Sequence, residues 1–172
     1  MLTGLRFAVL VTSDRASAGQ RKDDAGPRLQ DSIVRYGGNC VATTVIPDEE
    51  EIIREKMIAL CERNDVDILI TTGGTGVSPR DVTVDVTLSV IEKEIPGFGE
   101  EMRRRSLELT PNAILSRATA GILKGTFILN LPGNPQGAVD CLGWVMKPLP
   151  HLVDLLHNKV TDCSNNKNGA AR

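Results

Sequence analysis

Aromatic residues are nearly missing from this chain: three Phe, one Tyr and one Trp make up 3% of it. A core must then be built from Val, Ile, Leu and Ala, and stacking platforms for nucleic-acid bases are not expected. An excess of positive charge is missing as well. Twenty Lys plus Arg against 22 Asp plus Glu leave a net charge of −2, so a general nucleic-acid partner is not expected and any anion must be bound locally. The four cysteines, Cys40, Cys61, Cys141 and Cys163, form no C-x-x-C pair, and both histidines lie near the end of the sequence. That distribution speaks against a zinc cluster or a disulfide framework. No apolar run approaches the ~20 residues needed to cross a bilayer. The first residues lack the charged-then-apolar order of a signal peptide, so the expectation is a cytoplasmic protein with reduced thiols and no membrane partner.

What is present is enough apolar material for one core: 172 residues, 41% hydrophobic. Residues 6–12 (RFAVLVT) read as a buried strand whose carboxyl end opens into a polar stretch over residues 13–26. Pro27 suits the first turn of a helix with Leu29, Ile33 and Val34 on its apolar side, stopped by Gly37-Gly38. A strand over 40–46 follows, then a helix opened by Asp48 with Ile52, Ile53, Met57, Leu60 and Cys61 on one face, then a strand over 67–72. This alternation predicts right-handed crossovers: a single-domain α/β fold, a three-layer sandwich around a mostly parallel sheet. Further on, Val84, Leu88, Ile91 and Ile95 predict a helix ended by Pro96-Gly97, and residues 98–108 another. Segments 118–123 and 126–131 flank Lys124-Gly125 as a hairpin or neighbouring strands. Residues 135–157 form a terminal helical region broken by Pro148 and Pro150. The folded domain is expected to span 1–160, with 161–172 a polar, disordered tail.

Ligands of open α/β sheets bind beyond the carboxyl ends of the strands. Here those ends carry Ser13-Asp14, Pro47-Asp48, Gly73-Gly74-Thr75-Gly76 and Pro132-Gly133-Asn134-Pro135. The glycine loop can present bare N–H groups to a phosphate or merely turn the chain; it is neither a P-loop nor a dinucleotide fingerprint. Asp81 can hold Mg²⁺ on a phosphate or cap the next helix. Asp48, with Glu51 three residues on, can likewise be a ligand or part of a capping box. Ser13-Asp14-Arg15 can bind or turn. Ser116-Arg117 offers a hydroxyl and a guanidinium to an anion, or forms a solvated surface pair. The stretch from Asn130 to Pro135 aims backbone N–H groups or turns the chain. The charge run Glu100-Glu101 with Arg103-Arg104-Arg105 reads as a solvated or subunit-facing surface, and His151 and His157 have no partner at catalytic spacing.

Taken in order, S-D-R-A-S, I-P-D-E, T-T-G-G-T-G, P-R-D-V-T, L-S-R and N-L-P-G-N-P resemble the MogA-type molybdopterin adenylyltransferases, the domain also found as the G domain of gephyrin. The resemblance runs from residue 6 to about residue 158. It implies a homotrimer that uses Mg²⁺ and takes molybdopterin and ATP as substrates, with a separate molybdate-inserting protein as a further partner. Asp48 and Asp81 match the family's functionally critical pair, and the expectation is that together they hold Mg²⁺ on the phosphates. Gly73, Gly74, Thr75, Gly76, Ser116 and Asn130 match its nucleotide and pterin site, together with Pro132, Gly133 and Asn134; Ser13 and Asp14 match its first loop. The alternative within the family is a non-catalytic molybdopterin-binding or scaffold protein of the MoaB type. A nucleotide or cofactor hydrolase on a similar sheet would need a water-activating base that the sequence does not offer.

Overall fold

The computed structural model describes residues 1–158; the expected tail and Cys163 lie outside them. The elements run β1 (Arg6–Thr12), α1 (Asp14–Ser17), α2 (Ala25–Arg35), β2 (Asn39–Ile46), α3 (Glu50–Cys61), β3 (Ile68–Thr72), α4 (Thr83–Val90), β4 (Lys93–Glu94), α5 (Pro96–Leu107), a 3₁₀ turn (Pro111–Leu115), β5 (Ala120–Leu123), β6 (Thr126–Leu131), α6 (Pro135–Val145) and α7 (Leu149–Leu156). The six strands form one sheet in the order β2-β1-β3-β6-β5-β4. Strands β2, β1, β3 and β6 are parallel, and the β6–β5–β4 edge is antiparallel.

Period-two alternation divides the core. Phe7, Val9, Val11, Ile68, Ile70, Phe127 and Leu129 face one helical layer, containing Leu29 and Ile33 of α2, Met102 of α5 and Leu142 of α6. Ala8, Leu10, Leu69 and Ile128 face the other, made of Ile53 and Met57 of α3 and Val86 of α4. Helices on both faces complete the three layers. No helix among the described residues is long and apolar enough to cross a membrane.

Several boundaries differ from the sequence expectation, each for a local reason. Helix α2 ends in a Schellman motif: the Gly37 N–H donates to the Val34 carbonyl and the Gly38 N–H to that of Ile33. Gly37 holds φ +89° there, as the glycine pair predicts. Val34, however, lies 59% exposed, because the buried side of α2 runs through Ala25, Leu29, Ser32 and Ile33. Ile52 is likewise on the outer side of α3. Pro96-Gly97 does not end a helix; Pro96 sits in the first turn of α5, where its missing N–H costs nothing. The preceding helix stops at Val90, and Ile91 and Ile95 flank the short β4. The two-residue turn Lys124-Gly125, with φ of +51° and +80°, makes β5–β6 the hairpin form of the two alternatives. In the charge run, Glu101 pairs with Arg104 and Arg105 along α5, but Arg103 turns inward and donates to the Ala118 carbonyl at 2.7 Å.

The amino ends of β1 and β3 are tied by one ion pair. Asp67, 3% exposed, accepts from the Arg6 amide and Nε, both at 2.9 Å, and from the guanidinium at 2.6 Å. His157 Nε2 stands 3.5 Å from the same carboxylate. Burial pushes the Asp67 carboxyl up, but the Arg6 side chain and amide together outweigh it and hold the group below the ordinary range. Its contribution to stability is thus complete above the unfolded pKa of about 3.9 and is lost as pH falls through the lowered folded value. Asp67→Asn should cost about 2 kcal/mol at pH 7. Thermal unfolding of variant and parent should converge as the pH is taken down towards 2, and a gap independent of pH would contradict this account.

Candidate functional site

The carboxyl end of the sheet is polar inside. On the α4 side, where Leu10, Leu69 and Ile128 give way to the strand ends, the inward positions are Thr12, Thr71 and Asn130, all buried. Thr71 and Asn130 are register partners across β3 and β6. The Asn130 amide donates to the hydroxyls of Thr71 and Thr87 at 2.9 Å each, and the Thr12 hydroxyl meets that of Thr83 at 3.0 Å. Thr87 in turn donates to the Thr83 carbonyl at 2.8 Å. The first turn of α4 is therefore fastened to three strands by hydrogen bonds rather than by apolar packing.

The glycine loop lies directly on this layer. A Cβ at Gly73 would stand 2.2 Å from the Thr12 carbonyl oxygen, and one at Gly74 would stand 2.3 Å from Thr83 Oγ1. Both residues also have positive φ, +108° and +60°. The loop after β6 closes on it from the other side: a Cβ at Gly133 would lie 3.2 Å from Gly73 Cα, and Thr72 Oγ1 donates to the Pro132 carbonyl at 2.8 Å.

Four loops meet here around a cavity of about 310 Å³. Ser13, Asp14, Asp48, Gly73, Gly74, Asp81 and Gly133 all line it. Neither aspartate of the expected pair acts as a helix cap. Helix α3 begins at Glu50, and Asp48 instead accepts the Asp14 N–H at 2.9 Å while its own N–H donates to Asp14 Oδ1 at 3.0 Å. Asp81 accepts the Ser78 N–H at 2.8 Å, closing a turn before α4, and it stands over Gly76, where a Cβ would reach Oδ2 at 2.9 Å. Burial raises the Asp48 pKa, helped by the nearby Asp14 charge and opposed by the Asp14 N–H. Asp14 is lowered, first by Arg80 and then by the Asp48 N–H. Arg80 spans the rim, donating to Asp14 through Nε at 3.1 Å and Nη2 at 2.9 Å, and to Glu49 at 2.9 Å.

A second cavity, about 540 Å³ and mostly apolar, opens on the far side of the same loops. Thr75, Gly76, Pro132, Asn134 and Ser116 form its polar edge, and Met102, Leu109, Leu115, Cys141 and Trp144 are among its apolar walls. Asn134 also caps α6, accepting the Gly137 N–H at 2.9 Å. The expected site residues thus divide between two cavities, except Asn130. With no accessible surface, Asn130 touches only the layer beneath the loop, so it positions and does not contact solute. Arg117 is neither an anion fork nor a solvated pair. It donates to the carbonyls of Gly76 and Asp81 at 2.8 and 2.6 Å and to both oxygens of Asp85 at 2.8 Å, which braces the wall between the cavities.

The sequence reading missed Arg80 and the threonines, and it offered Arg117 for a different task. Arg80 sits inside a motif already singled out, but only the fold reveals what the two guanidinium groups face. Thr83 and Thr87, four apart at the start of α4, carried the one readable signal, two hydroxyls on an otherwise apolar helix side. Burial pushes the Cys61 thiol up to about 12 and also raises Cys141, which disfavours the thiolate at both positions.

Residues 8–151 match the family described as "Probable molybdopterin binding domain". The chain is 40% identical over 154 residues to a Helicobacter pylori protein named molybdopterin adenylyltransferase, covering 88% of both chains. It is 42% identical over 140 residues to the Escherichia coli protein of that name, covering 80% of this chain and 72% of the relative. Among solved structures, the molybdopterin biosynthesis enzyme MoaB of Thermus thermophilus superposes with a TM-score of 0.83 at 36% identity, over 90% of this chain and 97% of the other.

Two substitutions check the seat of the loop. Gly74→Ala should cost about 2–3 kcal/mol, since both φ and the Thr83 hydroxyl oppose a methyl group. Asn130→Ala should cost about 2 kcal/mol although the side chain never meets solvent, because two buried hydroxyls lose their donor. Denaturant unfolding measures both, and changes under 0.5 kcal/mol would show that the layer does not carry the loop.

Proposed function

This chain belongs to the MogA/MoaB-type molybdopterin-binding family, and we propose that it transfers the adenylyl group of ATP to molybdopterin, preparing the pterin for molybdate insertion. The terminal phosphate oxygen of molybdopterin bonds to the α-phosphorus of ATP, the α–β bridging P–O bond breaks, and pyrophosphate leaves with the bridging oxygen. The observation that carries this reading is the pair of cavities on opposite sides of one loop wall. One is small and lined by charged groups and bare amides; the other is larger and apolar. A triphosphate suits the first and a flat heterocycle the second, so two dissimilar substrates meet at Gly73–Gly76 and Pro132–Gly133.

The chain's own residues have distinct tasks. Gly73 and Gly74 bring main-chain dipoles to the reacting phosphate, where preorganised donors offset charge that builds up in the transition state. Thr75, Gly76, Ser116 and Asn134 orient the pterin along the shared wall, and Asn130, Arg117 and the buried threonines keep that wall in place. Ser13 and Asp14 shape the floor, with Asp14 neutralised by Arg80 so that its charge does not repel an incoming phosphate. No general base is required, since a phosphate nucleophile is already ionised at neutral pH; no catalytic histidine lines either cavity.

Asp48 and Asp81 fit a Mg²⁺ ion. Their oxygens are hard donors lining one cavity, burial disfavours the Asp48 carboxylate in the absence of a further positive charge, and one or two carboxylates plus substrate oxygens are what this ion takes. Among the described residues no three His, Cys, Asp or Glu gather as an all-protein cage, which agrees with a site completed by phosphates. When bound, the ion supplies charge neutralisation and polarises the phosphoryl group. The same reading includes a cytoplasmic homotrimer and a separate protein that inserts molybdate.

Asp48→Asn and Asp81→Asn should each lower kcat by about 10²–10³-fold. Pterin binding and the unfolding temperature should change little, because neither carboxylate caps a helix. Pyrophosphate release from molybdopterin, ATP and Mg²⁺ is the assay. Full turnover by both variants would remove the metal-holding role, and tight pterin binding by the parent chain without any pyrophosphate would make it a carrier.

A further inference from the structure

Four cations line the cavity above the glycine loop: Arg15, Arg21, Lys22 and Arg80. Their circumstances differ. Arg80 is committed to Asp14 and Glu49. Arg15, Arg21 and Lys22 have no ion pair or side-chain hydrogen bond with any described residue. The acids beside them in sequence, which line the same cavity, make their direct contacts elsewhere. Asp23 accepts the N–H groups of Ala25 and Gly26 at 3.0 and 3.1 Å at the start of α2, and Asp24 pairs with Arg28 at 3.0 Å.

The connection that carries these cations is held against α1. The Gly19 N–H donates to the Ala16 carbonyl, and the N–H groups of Gln20 and Arg21 donate to that of Arg15, at 3.1, 2.9 and 3.1 Å. Three like charges are therefore gathered at one cavity by ordered backbone. None of the three is engaged in an ion pair within the described residues, although Asp14, Asp23, Asp24, Asp48 and Asp81 line the same cavity, so the complement of the cavity as a whole is a multiply charged anion bound together with a divalent cation.

Sheet order says which anion. The glycine loop follows β3, the second cavity is built on the β6 side of it, and the cations follow β1 on the opposite side. An in-line displacement at a phosphorus over the glycine loop needs its nucleophile and leaving group on opposite sides. With the pterin phosphate arriving from the β6 side, the group that departs does so on the β1 side.

We propose that Arg15, Arg21 and Lys22 form the subsite for the β- and γ-phosphates of the nucleotide and for the pyrophosphate they become. This rests on the adenylyl-transfer reading and adds to it the residues that receive the leaving group.

The test is calorimetric titration of the full chain in Mg²⁺ buffer with inorganic pyrophosphate and, separately, AMP. It compares the parent, Arg21→Gln/Lys22→Gln, and the charge-matched control Arg35→Gln/Arg63→Gln, whose sites lie away from both cavities. All four positions are exposed to solvent, so folding should be preserved. The expected result is a Kd for pyrophosphate raised about tenfold or more in the first variant. Its salt dependence should be shallower, AMP binding should be unchanged, and the control should match the parent. Unchanged pyrophosphate binding in the first variant overturns the subsite, as does equal weakening in variant and control. A parent that binds AMP but not pyrophosphate also overturns it while leaving adenylyl transfer standing; a parent that binds neither removes both.

Discussion

The buried hydrogen-bond layer formed by Thr12, Thr71 and Asn130 with Thr83 and Thr87 is the constraint on which the rest of the site depends. Replacing apolar contacts by hydroxyls and an amide in a core is tolerable where partners are in place; here three adjacent strands and one helix satisfy the hydroxyls and the Asn130 NH₂ group, while the Asn130 side-chain oxygen has no partner among the described residues. The layer does two things at once. It anchors α4, and with it Asp81 just before that helix, and it leaves a surface on which only a backbone without side chains can lie. Gly73 and Gly74 occupy that surface, so their amides are brought to the cavity by exclusion of everything bulkier.

The two ends of the sheet follow opposite designs. At the amino ends of β1 and β3, Arg6 and Asp67 close on each other with several hydrogen bonds, and the charge is consumed within the protein. At the carboxyl ends the pairing is incomplete. Arg80 and Arg117 are consumed as braces, joining the loops after β1, β2 and β3 and the wall between the cavities. Arg15, Arg21 and Lys22 remain unmatched within the described residues, and Asp48 carries a carboxylate that burial disfavours. On the proposed reading, this incomplete pairing becomes favourable when a metal ion and phosphates arrive together.

Much of this was readable beforehand, and the exceptions are instructive. Residues 6–12 and 67–72 are apolar runs bounded by polar or glycine-rich segments, and a strand buried on both faces has no other way to appear. The loops that would face the ligand were legible because polar and glycine residues at strand ends have few other uses. Val34 and Ile52 were misplaced because helical spacing identifies a stripe but not its width, which depends on how closely the sheet approaches. Pro96-Gly97 was read as a stop because proline opens one helix as readily as it ends another, and only the insertion of β4 against β5 decides between them. On spacing alone capping was the favoured reading for Asp48 and Asp81, and the structure overturns it for both.

The order of elements, the parallel core of the sheet, the placement of four chemically active loops at one end and the family itself were determined by the sequence, because period-two and period-3.6 patterns and short motifs are local properties of a chain. Only the tertiary structure decided that Asp48 trades hydrogen bonds with Asp14 instead of capping α3, that Asn130 supports the site from below without reaching it, and that the expected residues serve two cavities and not one. Each of these depends on which side chain lies nearest across the sheet, a distance between residues 34 to 71 positions apart that spacing along the chain does not encode.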